Sequence, residues 1–297
     1  MKRVFVSALI VLLGAGLVNA QENPEVLQFA RTEHNPRNLA LAGAGAASVQ
    51  STAYAGFRAA ATLPLMPGSM DAGASFQLWQ PGNPVNKSTG FNLGAAGRIG
   101  HWGLSLGATS QTGVQLASFA PSQLLIAGGV AYGIGNNWGI GVNARYAQDE
   151  IAQDISLGGF SLDITAASRI GEELIALAGV CMLGPKVQGS ADSYPQPAHA
   201  LAAAAWHKQL APEHSLEALL DAEYYFSGAF AVSAGVEYAY DNLVFARAGY
   251  RLGSPAYPSH AAVGLGLQFQ GFRMDAAYIL ASDSLSGGLS VGLGYKF

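Results

Sequence analysis

The chain has 297 residues, of which only 11% are charged, against about 25% in soluble proteins. It carries 15 Lys+Arg and 19 Asp+Glu; Lys2 and Arg3 fall in the leader described below and no acid does, so the remainder holds 13 against 19, a formal charge of −6. That balance excludes a nucleic-acid binder, which needs a basic footprint. A chain with 38 Gly and no apolar run of about 18 residues past the leader also excludes a helical membrane protein.

Lys2-Arg3, an apolar run from Val4 to about Val18 and the small Ala20 before Gln21 make a secretory signal peptide over residues 1–20, cleaved between Ala20 and Gln21. A membrane anchor needs about 20 apolar residues. Residues 21–69 come next, with a small, apolar stretch from Ala40 to Ala47 that shows no sustained alternation. They are predicted to be a short helical or irregular plug, tucked into a barrel or closing its periplasmic mouth. Within them Gly43-Ala44-Gly45-Ala46-Ala47-Ser48 approaches a dinucleotide-binding fingerprint. No strand or βαβ unit frames it, so tight packing is the better reading.

From Met70 the hydrophobic pattern alternates with period two almost without interruption, predicting strands at 70–80, 88–100, 102–112, 121–135, 137–148, 158–170 and 173–184. The series continues at 198–210, 214–226, 230–240, 243–252, 259–270, 271–281 and 286–297. The total is even, and each strand is long enough to cross a bilayer when tilted, so the fold class is all-β: an antiparallel transmembrane β-barrel over residues 70–297. The last strand places Leu289, Val291, Leu293, Tyr295 and Phe297 on one face. Tyr295 and the terminal Phe297 mark it as the closing strand and assembly signal.

Short connections at Gly100-His101, Gly135-Asn136-Asn137, Gly171-Glu172, Ala211-Pro212-Glu213, Asp241-Asn242 and Gln270-Gly271 alternate with longer ones at 81–87, 113–120, 149–157, 185–197, 253–258 and 282–285. The brief 227–229 is the exception. Short turns belong to the periplasmic side. On this topology Trp102, Trp138, Tyr240, Phe269, Phe272, Tyr295 and Phe297 form one aromatic girdle, and Tyr146, Phe160, Tyr224, Phe226, Tyr250 and Tyr278 the other.

Arg145, Asp163, Arg169, Glu217, Asp221, Glu223, Glu237, Arg247, Arg251, Arg273 and Asp275 fall on the opposite faces, with Gly, Ser, Thr and Asn. A charge on the lipid face costs about 2–4 kcal/mol at the midplane, so these are the candidate lumen residues. Strands 173–184 and 198–210 are apolar on both faces and their register is not assignable. Glu217, Asp221 and Glu223 form an acidic cluster, either a strip lining a solute path or, as the better reading, a charge ladder holding the plug. Cys181 reads as a buried small apolar residue.

Asn35-Pro36-Arg37-Asn38-Leu39-Ala40-Leu41-Ala42-Gly43-Ala44-Gly45-Ala46 resembles the N-terminal "R-x-L-A-L-G-G-A" segment of PorV/PorQ-family outer-membrane proteins of Bacteroidetes. Phe245-Ala246-Arg247-Ala248-Gly249-Tyr250-Arg251 looks like that family's "RAGY" strand, and Val263–Leu267 with Phe272–Tyr278 its "GLG…FRLDYAY" hairpin. The "NPA" element common in these and the related FadL-type barrels is replaced by Phe57-Arg58-Ala59-Ala60-Ala61. The resemblance implies a FadL-like barrel of fourteen strands in the outer membrane of a Gram-negative bacterium, associated with type IX secretion or surface-protein attachment.

The six His show no metal-ligand spacing, His214-Ser215 sits in a predicted turn, and neither cofactor nor enzymatic activity is expected. The leading expectation is therefore a protein-binding barrel that docks a secretion translocon or secreted cargo on loops 113–120, 149–157 and 185–197, besides contacting outer-membrane lipid and the barrel-assembly machinery. The alternative is a FadL-like transporter of small hydrophobic solutes, with the N-terminal segment as a hatch.

Overall fold

The structure, a computed structural model, describes residues 25–79, 87–114, 119–189, 192–254, 258–280 and 287–297. The expected cleavage point at Ala20 and Gln21 lies outside these residues, as do residues 81–86, 115–118, 255–257 and 282–285 of the longer loops. Successive strands are β1 (Met70–Trp79), β2 (Ser88–Ile99), β3 (Trp102–Gly113), β4 (Ser122–Ile134), β5 (Trp138–Ala152), β6 (Ile155–Ile170) and β7 (Leu174–Leu183). After a two-residue hairpin, β8 (Val187–Gln188) and β9 (Ser193–Tyr194), come β10 (His199–Ala211), β11 (His214–Tyr225), β12 (Phe230–Tyr240), β13 (Val244–Gly253), β14 (His260–Phe269), β15 (Phe272–Leu280) and β16 (Leu289–Lys296). All but the hairpin strands pair with their neighbours, and β1 pairs with β16, closing a fourteen-stranded antiparallel barrel.

Period-two sequence becomes two-faced sheet. Along β15, Phe272, Met274, Tyr278 and Leu280 are exposed while Arg273, Asp275, Ala277 and Ile279 are buried. Large apolar side chains such as Leu106, 71% exposed, cover the outside, an arrangement stable only in lipid. At the short-turn end, Asp241 (φ 52) and Asn242 (φ 49) take the left-handed conformation at both central positions, as a hairpin turn that follows strand twist requires.

The N-terminal segment runs lengthwise through the barrel. Leu27 packs at the long-loop end against Gly159, and Val26 N–H donates to Pro195 O at 3.1 Å. The chain then forms the short helix Pro36–Ala40 and the 3-10 turns Ala55–Phe57 and Ala60–Leu65, reaching the periplasmic end at Met70. Asn35 caps the helix, accepting from Arg37 N–H, and Pro36 occupies the first turn, where a missing donor costs nothing. Inward glycines make the room: a Cβ on Gly139 would lie 2.1 Å from Ala61 O, and one on Gly249 2.2 Å from Leu41 C.

Three expectations are revised. Loop 149–157 is strand: β5 and β6 continue beyond the other hairpins and turn at Gln153–Asp154, with Asp154 at φ 61. Loop 185–197 is a free rim only in part, with Lys186, Gln188, Asp192 and Ser193 exposed. It folds over the lumen, with Val187 buried and Gln196 Nε2 donating to Phe160 O and Pro185 O. The register missing for the two apolar strands is also fixed: Ile175, Leu177 and Cys181 of β7 and His199, Leu201, Ala203 and Ala205 of β10 are buried inside. That wall is apolar within because it packs on the plug, in one cluster with Phe57, Ala59 and Leu65.

Since the obstructing atoms at Gly139 and Gly249 are plug backbone, Gly139→Val or Gly249→Val is expected to leave a heat-modifiable barrel with the plug displaced. Trypsin cleavage at Arg37 and Arg58 should then rise, and the outward Gly128→Ala should leave it unchanged.

Candidate functional site in the plugged lumen

Ten of the eleven charged residues named from sequence are placed inside the barrel in three groups with plug partners between them; Arg169, the remaining one, reaches from β6 to Leu65 O of the plug at 2.6 Å. In the first group Arg37 of the plug donates from Nη2 to Glu217 at 2.6 Å and from Nε to Glu237 at 2.8 Å, with both carboxylates and the guanidinium buried. Arg247 bonds Glu237 at 2.5 Å and Asp275 at 2.6 Å, Arg273 bonds Asp275 at 3.0 Å, and Arg273 meets Asp71 at 3.4 Å. Charges thus alternate in an unbroken chain from β11 round to β1. The strands between, β14 and β16, carry glycine where the guanidiniums cross: a Cβ on Gly266 would lie 2.7 Å from Arg247 Nη1, and one on Gly294 2.8 Å from Arg273 Nη2.

The second group lies nearer the outer end. Asp221 accepts from the backbone N–H groups of Gly45 (3.2 Å) and Ala46 (2.9 Å) and from Arg58 at 2.5 Å. The Gly43-Ala44-Gly45 turn, with positive φ at both glycines, is thus an anion cradle occupied by the chain's own carboxylate. Arg58 also bonds Glu33 at 2.7 Å, and Arg251 bonds Glu223 at 2.6 Å. The acidic cluster of β11 therefore contacts the plug directly.

In the third group Arg145 pairs with Asp163 and donates to Phe57 O of the plug at 2.7 Å. Asp163 also accepts from Met182 N–H at 2.7 Å. This supplies the partner lost at a bulge where Cys181 and Met182 together oppose one residue of β6. Asn143 completes the wall contacts, accepting from Ala60 N–H and donating to Ala55 O and Gly56 O. Glu33, Arg37, Arg58 and Asp71 escaped the sequence reading. Their signal was faint: Asp71 is the lone acid on a strand face shared with Gly73, Ser75, Gln77 and Trp79, and the other three sit where no periodicity assigns an inside.

Two cavities lie between the plug and the barrel wall. One, of about 150 Å³, is bounded by Leu39, Ala42, Trp79 and Ile279 on one side and by Arg58, Glu223 and Arg251 on the other. The second, of about 40 Å³, lies beside the Met182 bulge among Phe57, Arg145 and Leu201. Among the described residues no cluster of His, Cys, Asp and Glu could hold a metal ion.

No protein-family model matches the chain, and no characterised protein matches it by sequence. Its fold, in contrast, matches solved outer-membrane barrels over nearly their whole length. The CymD monoaromatic hydrocarbon channel superposes with a TM-score of 0.61 at 12% identity, covering 90% of this chain and 97% of that one. The Pseudomonas putida toluene transporter TodX gives 0.61 at 13%, covering 93% and 98%. A Pseudomonas aeruginosa FadL homologue gives 0.57 at 12%, covering 89% and 98%. At these identities the likeness is one of fold: the chain shares the fourteen-stranded barrel of these outer-membrane proteins.

Two predictions follow from the ion network and the buried plug. Removing one partner of a buried ion pair costs about 3–5 kcal/mol, whereas removing both can be nearly neutral. Arg37→Met should therefore lower the unfolding midpoint sharply, and Arg37→Met with Glu217→Met should recover much of the loss. His34, buried against Phe57 with ring centroids 4.5 Å apart, is pushed down to about 3 by burial and by the nearby Arg145 guanidinium. An unfolded His takes its proton near pH 6.5, so between about pH 6.5 and 3 the unfolded state binds more protons and the protein loses stability as the pH is lowered. His34→Phe should flatten that slope in urea titrations at pH 7.5 and pH 5.

Proposed function

We propose that this barrel is a non-enzymatic outer-membrane channel for small hydrophobic solutes. The observation that carries the reading is the cavity of about 150 Å³ between the plug and the outer ends of β1, β13 and β15. A cavity of about that volume with an apolar lining accommodates a benzene ring, and Trp79, Leu39 and Ile279 give this one an apolar wall. The fold it shares with hydrocarbon channels supports the same reading.

The plug is bonded to β1, β5, β6, β11 and β12, so it serves as a floor rather than a loose hatch. The type IX reading draws less support from loop 185–197, one of its three docking loops, because Val187 and Gln196 turn inward and Pro195 O accepts from Val26 N–H of the plug. Lipid and the barrel-assembly machinery are the partners this reading requires.

Intact Gram-negative cells producing the protein are expected to take up labelled toluene several-fold faster than cells without it. Ile279→Trp, which fills the cavity, should return the rate to background with the barrel still heat-modifiable. Equal uptake with and without the protein, together with recovery of secretion components in pull-downs, would replace this reading with the protein-docking one.

A further inference from the structure

The polar wall of the cavity beside Trp79 carries open acceptors. The two oxygens of Glu223 are used unequally. Oε2 accepts from Arg251 Nη2 and from Tyr225 Oη, both at 2.6 Å. Oε1 accepts from none of the described residues, and Arg58 Nη2 stands 3.9 Å from it, past hydrogen-bond reach. The side chain is only 10% exposed, so bulk water is a poor substitute for a partner. His260 adds a second acceptor. Its Nδ1 lies 3.2 Å from Pro258 O, which can only accept, so in the neutral ring Nδ1 carries the proton and Nε2 keeps a lone pair without a partner among the described residues. Glu33, the other carboxylate of the wall, has a donor on each oxygen: Asn35 N–H at 2.9 Å and Arg58 Nη1 at 2.7 Å.

Donors stand on the same wall. Arg31, Arg58 and Arg251 line it with the two glutamates, and Thr32 adds a hydroxyl that can give or take a hydrogen bond. A ligand that only accepts leaves Glu223 Oε1 bare, and one that only donates leaves the guanidiniums nothing. A hydroxyl does both with one oxygen. Three arginines against two glutamates leave an excess of one positive charge, which disfavours an ammonium. A carboxylate would be drawn by that excess but brings only acceptors, set against Oε1. Opposite, Trp79, Leu39 and Ile279 offer only apolar contact.

We infer that the preferred occupant is a phenol, a neutral single-ring aromatic whose hydroxyl donates to Glu223 Oε1 and accepts from the neighbouring guanidiniums, with its ring against Trp79. This rests on the channel reading and specifies its substrate class. A methyl ether of the same ring keeps the acceptor and loses the donor, and sites that hydrogen-bond a hydroxyl reject analogues lacking it.

The test is equilibrium dialysis of labelled p-cresol, its methyl ether, toluene and p-toluate against the purified full-length protein in detergent near pH 7, where a phenol, like Tyr, is neutral. Ile279→Trp, which fills the cavity, supplies the micelle background. p-Cresol is expected to bind about tenfold more tightly than its ether, since a hydrogen bond to a carboxylate is at stake, and more tightly than toluene or p-toluate. Glu223→Gln, checked for heat-modifiable mobility, should narrow the gap between phenol and ether, and the ranking by the native protein decides the inference even where that variant fails to assemble. Equal binding of p-cresol and its ether by the native protein overturns the inference and leaves the channel reading intact if cells still take up toluene. An unchanged gap in an assembled Glu223→Gln barrel overturns the role given to Glu223. Tightest binding of p-toluate overturns the inference in favour of aromatic acids. Binding of none of the four, with no uptake by cells, overturns both readings.

Discussion

A buried guanidinium with two carboxylates closing on it governs this molecule. Arg37 sits inside the barrel with almost no exposure, and Glu217 and Glu237 reach it from adjacent strands. In an interior without bulk water an unpaired charge is prohibitive, so each added ion must bring its counter-ion. The result is the alternating series from Glu217 to Asp71, and the strands it crosses must give way: Gly266 and Gly294 stand where larger residues would block Arg247 and Arg273. Glycine on the inner face here makes space for arginine on the strand beside it.

The same constraint links floor and cavity. Asp221 holds the plug through Gly45 and Ala46 and at the same time anchors Arg58, whose other face borders the cavity. Arg251, fixed by Glu223, completes that border. The polar rim over the plug is thus made by the residues that keep the plug in place.

How much of this was legible in the sequence depended on whether neighbouring residues shared a periodicity. Strands such as β15, with Phe272, Met274 and Tyr278 against Arg273 and Asp275, announce both faces, because lipid and lumen demand opposite chemistry. On β7 and β10 the lumen demand vanishes, since their inner faces pack on plug side chains, and alternation vanishes with it. Beyond the bilayer neither face is constrained, so the continued ladder of β5 and β6 looked like loop. Arg37, Arg58 and Glu33 lie in a segment without regular period, and their partners are mostly far along the chain; Arg37 and Glu237 are separated by 200 positions. Nothing local encodes such pairs.

The lengthwise course of the N-terminal segment has a consequence for biogenesis. Its first described residues meet Pro195 at one mouth and its last continue into β1 at the other, while its bonds go to strands that follow far later in the chain. Sliding it into a finished cylinder would drag Arg31, Arg37 and Arg58 through a space too tight for a Cβ on Gly139 or Gly249. Strands laid around the segment would meet its charges as they arrive, leaving β1 and β16 as the pair to be joined.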